Sequence, residues 1–141
     1  GDLSASQRAR VDGNFDPAGE YPGDFWHFAR FQVVTAARTA GIDAIDAPYP
    51  AYQDPEGYRR SATQASLLGF DGKWAIHPHQ IAIAHEVFSP TEEEIAEAKA
   101  AIEAYRQAEA EGVGAIGRDG RLVDAAHMRL AENILYKASL G

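Results

Sequence analysis

Two short apolar segments, each preceded by a helix-forming segment, constrain the fold of this chain most strongly. Residues 42–47 and 73–76 are predicted strands because both are brief, apolar and ended at or just before a proline. Helices are predicted over residues 24–40 and 55–68, the second with Asp54 as its N-cap and Pro55 at its first position, and a glycine follows each where a C-terminal cap belongs. This alternation of helix and strand predicts an α/β fold with a parallel sheet.

Residues 78–141 follow a different pattern, in which helices dominate. The elements predicted there are a helix over 78–87, a helix from about 90 to 111 that opens on a Ser89-Pro90-Thr91-Glu92 capping box, a hairpin around Asp119-Gly120 and a helix from about 124 to 138. Because strands no longer alternate with helices here, we expect residues 1–88 to form one part of the protein. Residues 89–141 are expected to form a helix–hairpin–helix extension.

Two strand–helix units are too few to close a sheet into a barrel. A (β/α)₈ barrel takes about 250 residues, and this sequence has 141. We therefore expect strands that precede Gly1 in a longer protein to complete the sheet. The first 23 residues carry turn-forming residues without periodicity, which predicts a loop before the first long helix.

Charge and composition exclude several classes of function. Thirteen Lys and Arg against 21 Asp and Glu give a net charge of −8, which argues against a surface for nucleic acid or for an anionic membrane. The absence of cysteine excludes disulfides, thiolate metal sites and a cysteine nucleophile, and it fits the cytoplasmic location that we expect. No apolar run approaches the ~18 residues of a membrane span.

Two places in the first part of the sequence could carry chemistry. Asp2, flanked by glycine and small residues, could ligate a hard cation such as Mg²⁺, although an aspartate in such a loop commonly forms a turn. His77 follows the second predicted strand, where α/β enzymes place their sites, but a hydrogen-bonded structural role explains it equally well. The spacing of His77, His79 and His85 matches no standard zinc site.

Asp124 is the third candidate, and it also has two interpretations. It precedes the last predicted helix, where an aspartate commonly serves as the N-cap. A carboxyl group at this place could instead act as a general acid or base. Capping and proton transfer compete for the same oxygens, so the sequence pattern by itself favours the cap.

Several segments together resemble the citrate lyase β-subunit family of the HpcH/HpaI aldolase superfamily, and within it most closely the malyl-CoA and β-methylmalyl-CoA lyases. The segments are Gly-Asp-Leu-Ser at 1–4, Ala-Gly-Ile-Asp-Ala-Ile-Asp-Ala-Pro-Tyr-Pro at 40–50, Gly-Phe-Asp-Gly-Lys-Trp-Ala-Ile-His-Pro at 69–78, Val-Phe-Ser-Pro-Thr at 87–91 and Asp-Gly-Arg-Leu-Val-Asp at 119–124. The resemblance implies the second half of a (β/α)₈ TIM barrel plus a C-terminal helical extension. It also implies a homotrimer or homohexamer in which this extension packs on a neighbouring subunit.

The chemistry that the resemblance implies is reversible cleavage of a carbon–carbon bond in a 3-hydroxyacyl-CoA thioester. Malyl-CoA or β-methylmalyl-CoA would give glyoxylate and acetyl-CoA or propionyl-CoA. The implied cofactor is Mg²⁺, with Mn²⁺ as a substitute, acting as Lewis acid and template. A citryl-CoA or citramalyl-CoA lyase of the same family is the alternative activity, and an inactive oligomerisation fragment is the alternative for the chain by itself.

The resemblance also assigns roles to individual residues. Asp2 matches one of two carboxylates that hold the metal, whereas the second, a Glu, and an active-site Arg lie upstream in the family. Gly1 and Asp2 are expected near the substrate carboxylate. Asp124 matches a carboxylate that enters from the adjacent subunit as acid or base. Pro48 and the segment Ile76-His77-Pro78 match the wall along the thioester arm of CoA.

Overall fold

The computed structural model describes residues 2–9, 24–118 and 121–140. The chain divides into two compact units, Gly1–Phe88 and Ser89–Gly141. Within the described ranges, no helix combines the length and the apolar character that crossing a membrane requires.

The first unit alternates helices with short strands, as the sequence predicts. Its elements are α1 (Asp2–Ser6), α2 (His27–Ala40), β1 (Ile45–Asp46), α3 (Pro55–Leu68), β2 (Gly72–Lys73) and α4 (Pro78–Phe88). The expectation of a loop at the start of the chain was wrong for residues 2–6, because α1 closes a helical turn there with a bond from the Gln7 N–H to the Leu3 carbonyl. Residues 10–23 of that expected loop lie outside the described residues.

Strands β1 and β2 pair in parallel, which confirms the predicted parallel arrangement. Ile45 lies opposite Gly72, and Asp46 lies opposite Lys73. The two strands are joined by α3, so the segment is a strand–helix–strand unit of the kind found in α/β proteins.

Both strands are shorter than predicted, and other hydrogen bonds explain this. The Ile42 N–H donates to the Ala37 carbonyl and completes the C-terminal cap of α2, in which Gly41 adopts φ 67°. At the other strand, the Ile76 N–H donates to the side chain of Gln80 instead of a neighbouring strand. The predicted ends of both strands therefore have partners outside the sheet.

Helix α3 begins and ends where the sequence predicts. The Asp54 Oδ1 atom accepts a 2.8 Å hydrogen bond from the Gly57 N–H, Pro55 occupies the first helical position, and Gly69 caps the C-terminus at φ 102°. Helix α2 begins later than predicted, at His27 with Trp26 as its N-cap residue.

The core of the first unit lies between α2, α3 and the strand pair. Its buried side chains form one apolar cluster: Val34, Ala37, Ala44, Ala65 and Phe70. The alanines let the helices approach the strands closely, and Phe70 fills the remaining space. This packing fixes the ends of β1 and β2, from which the loops of the candidate site emerge.

The second unit is a helix, a hairpin and a helix. Its elements are α5 (Glu92–Ala110), β3 (Ile116–Arg118), β4 (Arg121–Val123) and α6 (Ala125–Ala138). Strands β3 and β4 are antiparallel, and the expected turn residues Asp119 and Gly120 lie outside the described residues. The buried cluster of this unit is Ala98, Ile102, Tyr105, Val123, Met128 and Ala131.

The capping box of α5 lies two residues later than predicted. The Thr91 Oγ1 atom accepts from the Glu94 N–H at 3.1 Å, and the Glu94 carboxylate accepts from the Thr91 N–H at 2.7 Å. The prediction of Ser89 as the cap was wrong because the acidic run puts a glutamate three residues after both Ser89 and Thr91. Spacing alone could not distinguish the two.

Candidate functional site

The loops that follow β1 and β2 are linked by Gln80, on the first turn of α4. The Oε1 atom of Gln80 accepts a 2.8 Å hydrogen bond from the Ile76 N–H, and its Nε2 donates to the Tyr49 carbonyl at 3.2 Å. The side chain is fully buried. Gln80 was not predicted from the sequence, although it lies three residues after His77, the spacing at which Glu or Gln closes a capping box.

A stack of rings joins the same two loops. The ring of Tyr52 stacks on His77 with 5.3 Å between centroids and 17° between planes, and His79 packs against His77 at 4.2 Å. The Nδ1 atom of His77 is buried and has no hydrogen-bond partner among the described residues. An unpaired buried nitrogen costs free energy, so a group bound beside His77 would gain from pairing with it.

A buried ion pair lies beneath these loops, at the strand pair. The Lys73 Nζ atom donates to the Asp46 carboxylate and, at 2.7 Å, to the Ala47 carbonyl. Arg30 contacts the other Asp46 oxygen at 3.3 Å through its Nε. Burial lowers the pKa of Lys73, while the hydrogen bond to Asp46 opposes this effect. This cluster was not predicted from the sequence, although the two short apolar strands carry charges of opposite sign.

A cavity of about 420 Å³ adjoins this ion pair. Its lining is mainly apolar and consists of Leu3, Ser4, Trp26, Ala29, Arg30, Val33, Ile45, Asp46, Ala47, Pro48, Phe70 and Trp74. Among the residues expected to bind substrate, Pro48 lines this cavity, whereas Ile76, His77 and Pro78 are not part of its wall. The structure therefore brings the two loops together but does not place all four residues around one cavity.

Only part of the start of the chain can be located relative to the cavity. Gly1 and the side chain of Asp2 lie outside the described residues, and the backbone of Asp2 begins α1. Leu3 and Ser4 of α1 line the cavity, which associates this end of the chain with Pro48. No group of three or more His, Cys, Asp or Glu side chains that could hold a metal ion occurs in the described part of the chain.

Asp124, in the second unit, is the N-cap of α6, which confirms the capping interpretation. Its Oδ1 atom accepts from the N–H groups of Ala126 at 2.8 Å and His127 at 3.2 Å, and it contacts the His127 Nδ1 atom at 2.9 Å. The bond to the His127 ring, with the two backbone bonds, holds the pKa of Asp124 below its usual value.

The second oxygen of Asp124, Oδ2, is not part of the cap. Within the described ranges, no hydrogen bond involves Oδ2, and the side chain is 41% exposed. Among the described residues, capping therefore uses one oxygen of the carboxylate and not the other. The structure thus confirms Asp124 as the cap, and its role in proton transfer stays a prediction.

A family comparison identifies the class of protein to which this chain belongs. The sequence profile of the HpcH/HpaI aldolase/citrate lyase family matches residues 2–78, more than half of the chain. The chain belongs to this family, as the sequence segments indicated.

Two relatives of known name match most of this chain. L-malyl-CoA/β-methylmalyl-CoA lyase from Rhodobacter capsulatus is 46% identical over 117 residues, which cover 83% of this chain and 37% of that protein. Citrate lyase subunit beta from Haemophilus influenzae is 40% identical over 114 residues, covering 81% of this chain and 39% of that protein. The chain therefore spans less than two fifths of the length of these relatives.

Solved structures share the fold. Protein CitE from Mycobacterium tuberculosis, in complex with magnesium, acetoacetate and coenzyme A, matches with a TM-score of 0.79 and 30% identity. The match covers 98% of this chain and 49% of that one. A citrate lyase from Burkholderia xenovorans LB400 matches with a TM-score of 0.75 at 24% identity, which supports the fold alone. The α/β arrangement is therefore that of citrate lyase-type proteins.

Proposed function

We propose that the whole protein is a carbon–carbon lyase that converts malyl-CoA or β-methylmalyl-CoA to glyoxylate and acetyl-CoA or propionyl-CoA. The observation that carries this proposal is the 46% identity to a lyase of that name over 83% of the chain. In this reaction the bond between the hydroxyl-bearing carbon and the carbon beside the thioester breaks. The hydroxyl loses its proton as the aldehyde of glyoxylate forms, and the thioester enolate takes up a proton.

Asp124 is proposed to transfer a proton at the reacting carbon. Its Oδ1 is held by α6 and His127, so Oδ2 can be presented to substrate in a fixed orientation. The carboxylate is ionised near neutral pH, the state in which it accepts a proton, and its hydrogen bonds hold its pKa below the usual value. Asp124 therefore serves as the base in the condensation direction, and its conjugate acid returns the proton in cleavage.

The two linked loops of the first unit are proposed to line the thioester arm of CoA. Pro48 and the segment Ile76-His77-Pro78 supply this wall, and the unpaired Nδ1 of His77 gives it a polar atom. Gly1 and Asp2 are proposed to lie near the carboxylate of the glyoxylate part. CitE, which is 30% identical, binds coenzyme A and thereby supports a CoA ligand.

Mg²⁺ is the proposed cofactor, with Mn²⁺ as a substitute. When bound, the metal supplies Lewis-acid stabilisation of the substrate oxygens. Asp2 would provide one carboxylate, and a Glu outside this chain would provide a second. The described residues do not form a complete ligand set by themselves. Magnesium in the CitE complex supports the proposal.

The proposed architecture is the second half of a TIM barrel at residues 1–88, followed by an extension at residues 89–141 that packs on a neighbouring subunit. The parallel pair of β1 and β2 and the division of the chain after Phe88 support it. The proposed assembly is a homotrimer or a homohexamer, in the cytoplasm.

A citryl-CoA or citramalyl-CoA lyase is the second candidate, supported by the 40% identity to a citrate lyase β subunit. The products distinguish the candidates. Incubation of the whole protein with malyl-CoA should release glyoxylate, whereas pyruvate from citramalyl-CoA or oxaloacetate from citryl-CoA would identify the alternative.

Metal dependence is tested in the same assay. EDTA should abolish glyoxylate release from malyl-CoA, and added Mg²⁺ should restore it, because a hard cation is needed to bind the substrate oxygens. Activity that survives complete metal removal would reject the metal-dependent mechanism. The 141-residue chain alone is expected to be inactive and to act at most in oligomerisation.

A further inference from the structure

Gln80 makes two hydrogen bonds, one local to the start of its own helix and one to a distant loop. The bond from the Ile76 N–H to Oε1 spans four residues and resembles a local cap at the start of α4. The bond from Nε2 to the Tyr49 carbonyl spans 31 residues and reaches the loop after β1. A residue needed only to begin α4 would not require the second bond.

The burial of Gln80 makes both bonds selective for an amide. The side chain has no exposed surface, so water cannot replace a lost partner. The site needs an acceptor toward Ile76 and a donor toward Tyr49, and the amide supplies both at once. An apolar residue of the same length would fill the space but leave both backbone groups unpaired.

The loops that Gln80 joins carry the residues proposed to line the thioester arm. Tyr49 directly follows Pro48, and Ile76 begins the Ile76-His77-Pro78 segment. The stack of Tyr52 on His77 links the same loops, but Tyr52 is exposed, whereas Gln80 is fully buried and its hydrogen bonds are directional.

We infer that Gln80 is a positioning residue for CoA-thioester binding: it fixes the spacing of the two loops without touching the reacting atoms. This inference rests on the proposed function for the identity of the ligand. The bridge controls how well the wall fits the thioester arm, so its loss should affect binding more than the proton transfer at Asp124.

The test compares Gln80→Met with Gln64→Met in the whole protein. Gln64 lies exposed on α3, so its substitution makes the same chemical change without breaking a described bond. Gln80→Met should raise KM for malyl-CoA and weaken binding of acetyl-CoA by about tenfold or more, because both hydrogen bonds from the side chain to the backbone of the loops are lost. kcat should change by less than about threefold.

Gln80→Glu provides a conservative rescue. An ionised carboxylate can accept from the Ile76 N–H but cannot donate to the Tyr49 carbonyl, whereas a protonated carboxyl group can do both. The KM of Gln80→Glu should therefore move toward the wild-type value as the pH is lowered. Gln80→Met should show no such recovery beyond the pH profile shared by wild type and Gln64→Met, in which His77, His79 and every other nearby charged group are unchanged.

Hydrogen–deuterium exchange gives a measurement that does not depend on the ligand. Amides of residues 47–53 and 74–79 should exchange faster in Gln80→Met than in Gln64→Met, while the core helix α3 stays protected. Unchanged exchange in both loops would overturn the inference, as would a wild-type KM in folded Gln80→Met. Wild-type protein that binds no acetyl-CoA, with loop exchange changed as expected, would instead reject the proposed ligand.

Discussion

The carboxylate of Asp124 caps α6, and it is also the group proposed to transfer a proton. Three contacts converge on Oδ1, and none of the described residues bonds to Oδ2. Within the described part of the chain, the cap therefore holds the carboxylate through Oδ1 alone. His127 strengthens this arrangement because its ring holds the carboxylate from the side.

Replacement of Asp124 by Asn separates the cap from the proton transfer. Asn caps a helix about as well as Asp, so we expect a nearly unchanged melting temperature. Asn cannot exchange a proton, so the rate of malyl-CoA cleavage should fall by at least about 100-fold. Thr91→Asn, a substitution at the N-cap of α5, is the control and should keep full activity. A fully active Asp124→Asn protein would leave Asp124 with capping alone.

The buried pair of Lys73 and Asp46 predicts a large effect on stability. Lys73→Met would leave the Asp46 carboxylate buried with Arg30 as its remaining ionic partner. Removal of one member of a buried pair typically costs about 3–5 kcal/mol. We expect a loss in the free energy of unfolding within or somewhat below this range, measured by chemical denaturation. Lys99→Met, at an exposed position on α5, should change it by less than about 0.5 kcal/mol.

Residues with a local role were predictable from the sequence, and those with distant partners were not. Asp54 and Asp124 act as N-caps, which adjacent residues are enough to indicate. Gln80 and Lys73 bond to groups 31 and 27 residues away. The sequence contained a charge in each short strand and a capping-box spacing at Gln80, but it did not show which distant groups these side chains would pair with. His77 could be located after a strand, but its stacking on Tyr52 required the structure.

At the scale of elements, the sequence predicted the order better than the limits. Helix α3 was located correctly because an N-cap, a proline and a C-terminal glycine mark its ends. The strands were overestimated because apolar residues at their ends, such as Ile42 and Ile76, serve helix capping and loop bridging instead. The apolar character of a residue does not show which acceptor its backbone N–H will bond to.

The start of α5 gives a prediction at this scale. Thr91→Ala removes the acceptor for the Glu94 N–H and should lower the free energy of unfolding by about 1 kcal/mol. Ser89→Ala is the matched control and should cost less than about 0.5 kcal/mol, because Ser89 lies outside the capping box. Thermal or chemical denaturation distinguishes them. A larger loss of stability for Ser89→Ala than for Thr91→Ala would show that Ser89 is the cap, as the sequence suggested.

At the scale of the molecule, the proposed catalytic groups lie in different units. Asp2 and the two linked loops belong to the first unit, and Asp124 belongs to the second. The family resemblance implies that Asp124 enters from a neighbouring subunit. The sequence of one chain could suggest this only through that resemblance, because hydrophobic periodicity carries no information on which copy of a chain a residue faces.

Mixing of two inactive variants tests a site shared between subunits. Asp2→Asn should weaken Mg²⁺ binding, and Asp124→Asn should remove the proton transfer, so each variant alone should be nearly inactive. After dissociation and reassembly of equal amounts, about one site in four would combine an intact Asp2 with an intact Asp124 from the neighbour. Activity should therefore return to about a quarter of the wild-type value. If native mass spectrometry proves that the subunits have mixed and no activity returns, each site is built within one subunit.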